Sequence, residues 1–196
     1  MNNTQLDQQI QFILEMDKLK HVTRRSYLLD QMRLENSAEH SWHVSLIALV
    51  LAEYADDPID TFRVLQMMLV HDIVEIDAGD TFLYDESANA AKADLEQQAA
   101  DRLFSLLPGD QAKTYLELWQ EFEDRETPDA RFARGLDRLM PLLHNYYTQG
   151  STWRKHGVRR EQVLQQNSII QDASQSLWNF AKRLIDEAVE KGYLQP

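Results

Sequence analysis

The chain is 196 residues long, the size of one compact domain, and its 43% hydrophobic and 27% charged residues exclude a disordered polymer. It contains no cysteine, which removes disulfides, thiolate nucleophiles, iron–sulfur clusters and cysteine zinc sites, so any metal must sit on nitrogen and oxygen. With Lys and Arg numbering 20 against 32 Asp and Glu, the net charge of −12 repels nucleic-acid polymers and anionic membranes; a small phosphorylated substrate can still bind beside a cation that reverses the field locally.

Only 6 Gly and 5 Pro interrupt a sequence rich in Leu, Gln, Ala, Asp and Glu, which predicts mostly helix. The N-terminal stretch lacks a basic segment followed by an apolar one, and no run approaches the roughly 18 apolar residues of a membrane span, so a cytoplasmic location is expected. Leu6, Ile10, Ile13, Leu14 and Leu19 follow helical spacing and predict an amphipathic first helix packed on the core. From Glu39 to Tyr54 a second helix follows the caps Asn36 and Ser37; it is apolar almost all round from Val44 to Ala52 and is expected at the centre.

Asp57-Pro58 breaks the chain before another oily helix from Ile59 to Ile76, with Pro58 suited to a first turn. A loop is expected over 79–89, then helices over 90–106, 111–123 and 128 to 147, the last capped by Thr127-Pro128 and kinked by Pro141. A polar loop around Gly150 leads to a long C-terminal helix between Arg160 and Lys191, broken once and closed by Gly192. No alternating run is long enough for a sheet. The expected fold is all-α, a single-domain bundle over residues 1–196 with about seven helices.

Three segments place ionisable groups where apolar ones are expected. Leu69-Val70-His71-Asp72-Ile73-Val74-Glu75 sets a His and two acids in an oily helix, where a cation explains them at less cost than mutual tolerance; bonds to neighbouring backbone are the plainer alternative. Glu39-His40-Ser41-Trp42-His43-Val44 puts His40 and His43 on one face, as ligands or as ordinary core and surface histidines. In Gly135-Leu136-Asp137-Arg138-Leu139-Met140 an acid stands in an apolar stretch, unless it simply pairs with Arg134 or Arg138. Taken together, His40, His71, Asp72 and Asp137 supply two imidazoles and two carboxylates, a set suited to one divalent cation with positions left for water and substrate.

The order His, His-Asp, distant Asp resembles the HD-domain metal-dependent phosphohydrolases. Asn36-Ser37-Ala38-Glu39-His40-Ser41, His71-Asp72-Ile73-Val74-Glu75, Ala78-Gly79-Asp80, Glu126-Thr127-Pro128-Asp129-Ala130-Arg131 and Leu136-Asp137-Arg138 are similar to blocks of the branch containing the 5′-deoxynucleotidases. The resemblance, over roughly 15–190, implies an HD-domain-like helical core. It also implies one divalent metal and hydrolysis of a small phosphomonoester, typically a (deoxy)nucleoside 5′-monophosphate.

It further implies that His40, His71, Asp72 and Asp137 hold the metal, that Glu75 and Asp80 orient water or move protons, and that Arg24 holds the substrate phosphate. Asp80 has the alternative of a turn residue after Gly79. Where the family's Arg is followed by Trp, this chain has Arg25, so the surface facing the nucleoside differs. Lys92 and Glu96 read as an ion pair one turn apart, and Glu126 and Arg131 as a structural pair. Trp153 and His156 resemble a segment of other HD hydrolases and stand either as a cover over the cleft or as ordinary loop residues.

Nitrogen and oxygen ligands admit Mn²⁺, Co²⁺, Fe²⁺, Ni²⁺, Zn²⁺ or Mg²⁺. His21, His43, His144 and His156 form no evident second ligand set, which disfavours a two-iron oxygenase. A non-catalytic, metal-bound nucleotide-binding or sensor domain is the remaining alternative. Trp119, Tyr146, Tyr147 and Trp178 on outer helices offer apolar area for a homodimer.

Overall fold

The computed structural model describes residues 4–84 and 86–196, without the side chains of 86–91. Helix α1 (Gln5–Met16) leads through a 3₁₀ turn (Asp17–His21) into strands β1 (Thr23–Tyr27) and β2 (Leu34–Asn36). Then follow α2 (Ser37–Leu51), α3 (Thr61–Val70), α4 (Glu75–Ala78), α5 (Glu86–Phe104), α6 (Gly109–Asp124) and α7 (Pro128–Tyr147). After them come α8 (Ser151–His156), α9 (Arg160–Asn167), a 3₁₀ turn (Ser168–Asp172) and α10 (Gln175–Glu190). Among the described residues no helix is long and apolar enough to cross a membrane. The fold is all-α apart from the two-stranded hairpin.

Side-chain caps begin five of these helices, α1, α2, α3, α7 and α10. The Thr4 hydroxyl accepts from Asp7 N–H, and the Asn36 side chain accepts from Glu39 N–H while Glu39 reaches back to Asn36, the reciprocal pair that satisfies two orphan donors. Thr127 caps α7 with Pro128 in its first turn, as expected. Helix α3 instead starts two residues later than the first-turn reading of Pro58, because the Asp60 carboxylate accepts from the N–H groups of Phe62 and Arg63.

Helix α7 runs through the core. Its buried face, from Ala130 through Leu136, Leu139 and Met140 to Tyr146, packs against α2, α3, α6 and α10. Pro141 lies inside it, and its missing N–H deprives the Asp137 carbonyl of its helical partner, loosening the backbone just where that acid stands. Gly135 has no room for a side chain: a Cβ there would come within 2.7 Å of Ala173 Cβ in the turn that follows α9.

Several expectations are corrected. Helix α1 does not bury its stripe: Leu6, Ile10, Ile13 and Leu14 are exposed, and the helix docks through Phe12 and Met16, while Leu19 is buried from the 3₁₀ turn beyond it. Helix α2 is apolar all round but buried on one side only, leaving Trp42, Leu46, Leu49 and Val50 in solvent. Trp119, Tyr146 and Trp178 are buried, so of the four aromatics expected outside only Tyr147 is exposed. Helix α5 begins at Glu86, earlier than the loop expected over 79–89 allows, although Asp85 lies outside the described residues.

The hairpin was not expected. Its residues Arg24 and Ser26 alternate inward with polar side chains, so the apolar alternation that marks a strand is missing from the sequence. The polar loop at Gly150 contains the short helix α8, and the C-terminal helix is interrupted between Asn167 and Gln175.

Substituting Gly135→Val forces α7 away from the turn at Ala173. Thermal or urea unfolding should show a loss of about 1–3 kcal/mol, the usual cost of overpacking a filled core; unchanged stability would mean the contact is not tight.

Candidate active site

The oily helix read across Ile59 to Ile76 is in fact two helices. Helix α3 stops at Val70, and tighter bonds follow, from Ile73 N–H to Val70 C=O (3.1 Å), Glu75 N–H to Asp72 C=O (3.0 Å) and Ile76 N–H to Ile73 C=O (3.1 Å). This turn aims His71, Asp72 and Glu75 together into the space between β1, α2 and α7. All three are buried, with His40 from α2 and Asp137 from α7.

His40 Nε2 lies 3.0 Å from Asp137 Oδ1 and 4.0 Å from Asp72 Oδ2. His71 Nε2 lies 3.1 Å from Asp72 Oδ1 and 3.7 Å from Asp137 Oδ1, and the two imidazole centroids are 5.5 Å apart. The structure therefore brings together His40, His71, Asp72 and Asp137, which the sequence separates by up to 97 positions. One donor atom each from His40, His71 and Asp137 fall within 4.8 Å of one another, a spread that one ion can bridge.

The donor chemistry fits a cation. A carbonyl can only accept, so the 2.9 Å contact between His71 Nδ1 and the Met68 carbonyl puts the proton on Nδ1. Nε2 is then a lone pair, buried with no hydrogen-bond partner among the described residues and directed at carboxylate oxygens. Lone pairs facing one another in a dry site repel, and a divalent ion between them turns that repulsion into coordination.

Arg24 closes the cluster from β1. Its Nη1 donates to Asp72 Oδ2 at 2.8 Å and stands 3.9 Å from both Glu75 Oε1 and Asp80 Oδ1. Glu75 is held in turn by the Ser37 hydroxyl, which donates to Oε2 at 2.6 Å. Asp80 follows Gly79, whose φ of +75° turns the chain back over the site. Both proton-handling candidates thus share one arginine with Asp72.

Electrostatics separates the acids. Burial and the charge of Asp72 push Glu75 up to about 8, so it keeps its proton at neutral pH, and burial also raises Asp80. Burial opposes ionisation of Asp72 and Asp137 too, but the charges of Arg24 and His40 hold Asp72 below the usual carboxylate range. Asp137 is held lower still, by the hydrogen bond from His40 and the charge of Arg134. Burial and Arg24 press His40 downward; its bond to Asp137 and the nearby carboxylates of Glu35 and Asp72 outweigh them and raise it to about 9. That extra proton occupies the place a metal ion would take.

A cleft opens beside the cluster, lined by Arg24, Asp80, Asp137, Arg138, Phe82 and Trp153. Trp153 is buried in its wall, whereas His156 is exposed and packs its ring 4.7 Å from that of Phe82. Lys92 pairs with Glu96 at 2.9 Å. Arg131 reaches the backbone carbonyl of Glu126 and the carboxylate of Asp57, so the expected Glu126–Arg131 pair is made through main chain instead of charge.

The sequence reading missed Glu35, which β2 buries 3.5 Å from His40 Nδ1 and 3.7 Å from Arg24 Nε. Of the two expected caps, Asn36 does the capping, as expected, and Ser37 instead donates to Glu75. Arg134, read only as an alternative partner for Asp137, does lie 3.4 Å from it, with its guanidinium 5.0 Å above the Phe122 ring.

Comparison with known proteins adds an independent line. The chain is 30% identical over 135 residues to the 5′-deoxynucleotidase HDDC2 of Homo sapiens, covering 68% of this chain and 65% of that protein, so it spans slightly less than two thirds of that relative. It is 25% identical over 191 residues to the 5′-deoxynucleotidase hdd1 of Schizosaccharomyces pombe, covering 94% of this chain and 86% of that one. A crystal structure described as a predicted metal-dependent phosphohydrolase from Magnetospirillum magnetotacticum superposes with a TM-score of 0.94 at 54% identity, covering 98% of this chain and 96% of that one. The HD domain family matches residues 16–178, from the end of α1 into α10. A match over nearly the whole fold makes this chain a member of the HD domain family.

Proposed function

We propose that the protein is a divalent-metal-dependent phosphomonoesterase, acting in the cytoplasm on a small phosphate ester, most specifically a (deoxy)nucleoside 5′-monophosphate. The observation that carries this reading is the convergence of His40, His71, Asp72 and Asp137 beneath an arginine at the floor of a cleft. The substrate class comes from the 5′-deoxynucleotidase relatives, and the net charge of −12 suits a small ester over a polyanion.

In this reading His40, His71, Asp72 and Asp137 hold one ion, from among Mn²⁺, Co²⁺, Fe²⁺, Ni²⁺, Zn²⁺ and Mg²⁺. When bound, it supplies positive charge to the phosphoryl oxygens and makes a water acidic enough to attack near neutral pH. Arg24 orients the phosphate: its guanidinium has five donors, of which Nη1 alone carries the contacts to Asp72, Glu75 and Asp80. As the water oxygen forms its bond to phosphorus and the ester bond breaks, Glu75 gives its proton to the leaving oxygen and Asp80 receives the one released by the water. Arg138, partly buried in the cleft wall and lowered to about 10 by desolvation and by Arg134, adds charge facing the substrate. Burying the reacting groups strengthens each of these interactions.

A second copy of the chain is the partner. Trp42, Leu46, Leu49 and Val50 share the outer face of α2, with Phe62 and Leu69 exposed on the adjoining α3. Residues 40–52 include no Asp, Glu, Lys or Arg, so two chains that otherwise repel can meet there. The exposed apolar area is on the order of 600 Å², close to the roughly 800 Å² each partner contributes to a standard interface.

The test is phosphate release from a panel of nucleoside 5′-monophosphates and other phosphate esters, using chelator-stripped protein given each ion singly. The expected outcome is turnover only with an ion added, lost at least about 10³-fold in Asp72→Ala and reduced about 10²–10⁴-fold in Glu75→Gln. Turnover that survives Asp72→Ala, or tight nucleotide binding with no phosphate released under any ion, would overturn the reading, the latter in favour of a sensor. Light scattering should give twice the chain mass for the native protein and the single mass for Leu49→Glu; a native monomer would refute the pairing.

A further inference from the structure

Behind the active site lies a second cluster of donors that the proposed reaction does not use. Glu35 from β2, His43 from α2 and His144 from α7 each direct one ligand atom to a common point, all three atoms within 4.8 Å of one another. His144 Nδ1 is 4.0 Å from Glu35 Oε2, and the His43 and His144 ring centroids are 6.0 Å apart. Glu35 and His144 are almost wholly buried, whereas His43 is half-buried and opens the cluster to solvent.

The polar atoms at this point are unsatisfied. Glu35 Oε2 and His144 Nδ1 are buried without a hydrogen-bond partner among the described residues. Such an atom is ordinarily costly to bury, and two gathered on one spot call for a common partner. Two imidazoles and a carboxylate form a donor set for a borderline first-row cation, with a fourth position free for water.

We infer that Glu35, His43 and His144 form a second binding site, for a divalent first-row transition ion such as Zn²⁺, that fastens β2, α2 and α7 behind the active site. The His40 ring stands between the two clusters, its Nε2 facing Asp137 and its Nδ1 facing Glu35 at 3.5 Å. Two ions that clamp one phosphate sit about 3.5–4 Å apart; ions on opposite edges of an imidazole lie farther apart than that. The second ion therefore touches no substrate. It fixes Glu35, and Glu35 in turn sets the orientation of His40 and the position of Arg24.

Cobalt(II) titration of chelator-stripped full-length protein, followed by its visible absorption, tests this without reference to turnover. The native chain is expected to bind two equivalents. His43→Ala, a change at a half-exposed position, and His144→Gln should each lose one, while His71→Ala should lose the other and keep the equivalent that depends on His43. The inference is overturned if the native chain takes one equivalent, or if both His43→Ala and His144→Gln take as many as the native chain.

Discussion

The structure depends on one unfavourable act: gathering four carboxylates and two imidazoles, from Asp72, Glu75, Asp80, Asp137, His40 and His71, in a space that burial keeps largely dry. Like charges in low dielectric repel strongly, and an uncompensated buried ion is among the most destabilising features a fold can carry. The protein answers with Arg24 at the centre of the acids and Arg134 behind Asp137, and by leaving Glu75 protonated. What remains is a surplus of lone pairs around His71 Nε2, which a divalent ion neutralises. Stability spent there returns as chemistry, because the same crowding that raises Glu75 makes it a proton donor.

The surrounding fold serves to hold that arrangement. Helix α3 ends early so that His71 and Asp72 turn inward, and Pro141 spares the Asp137 carbonyl its helical bond. Gly135 lets α7 sit against the turn at Ala173, which fixes the height of Asp137 in the core. The hairpin, small as it is, delivers Arg24 from one strand and Glu35 from the other. None of these features adds much apolar burial; each sets the direction of a charged side chain.

Much of this was legible in the residues. Caps at Asn36 and Thr127, the oily stretches and the scarcity of Gly and Pro give the helices, and polar residues in apolar surroundings mark His40, His71-Asp72 and Asp137. Three things were hidden for physical reasons. A two-stranded hairpin with Arg24 and Ser26 facing inward carries no apolar alternation. An apolar pattern cannot tell a helix buried on all sides from one like α2, whose outer face is exposed. And Glu35 and His144 meet His43, read in the sequence only beside His40, because β2, α2 and α7 converge.

Anomalous diffraction from crystals of the metal-loaded protein, collected at the edge of the added ion, tests the central claim most directly. The account predicts a peak about 2.0–2.2 Å from His40 Nε2, His71 Nε2 and one oxygen each of Asp72 and Asp137. A loaded crystal with no ion at that point, or an ion there whose shell omits Asp137 or either imidazole, would contradict it.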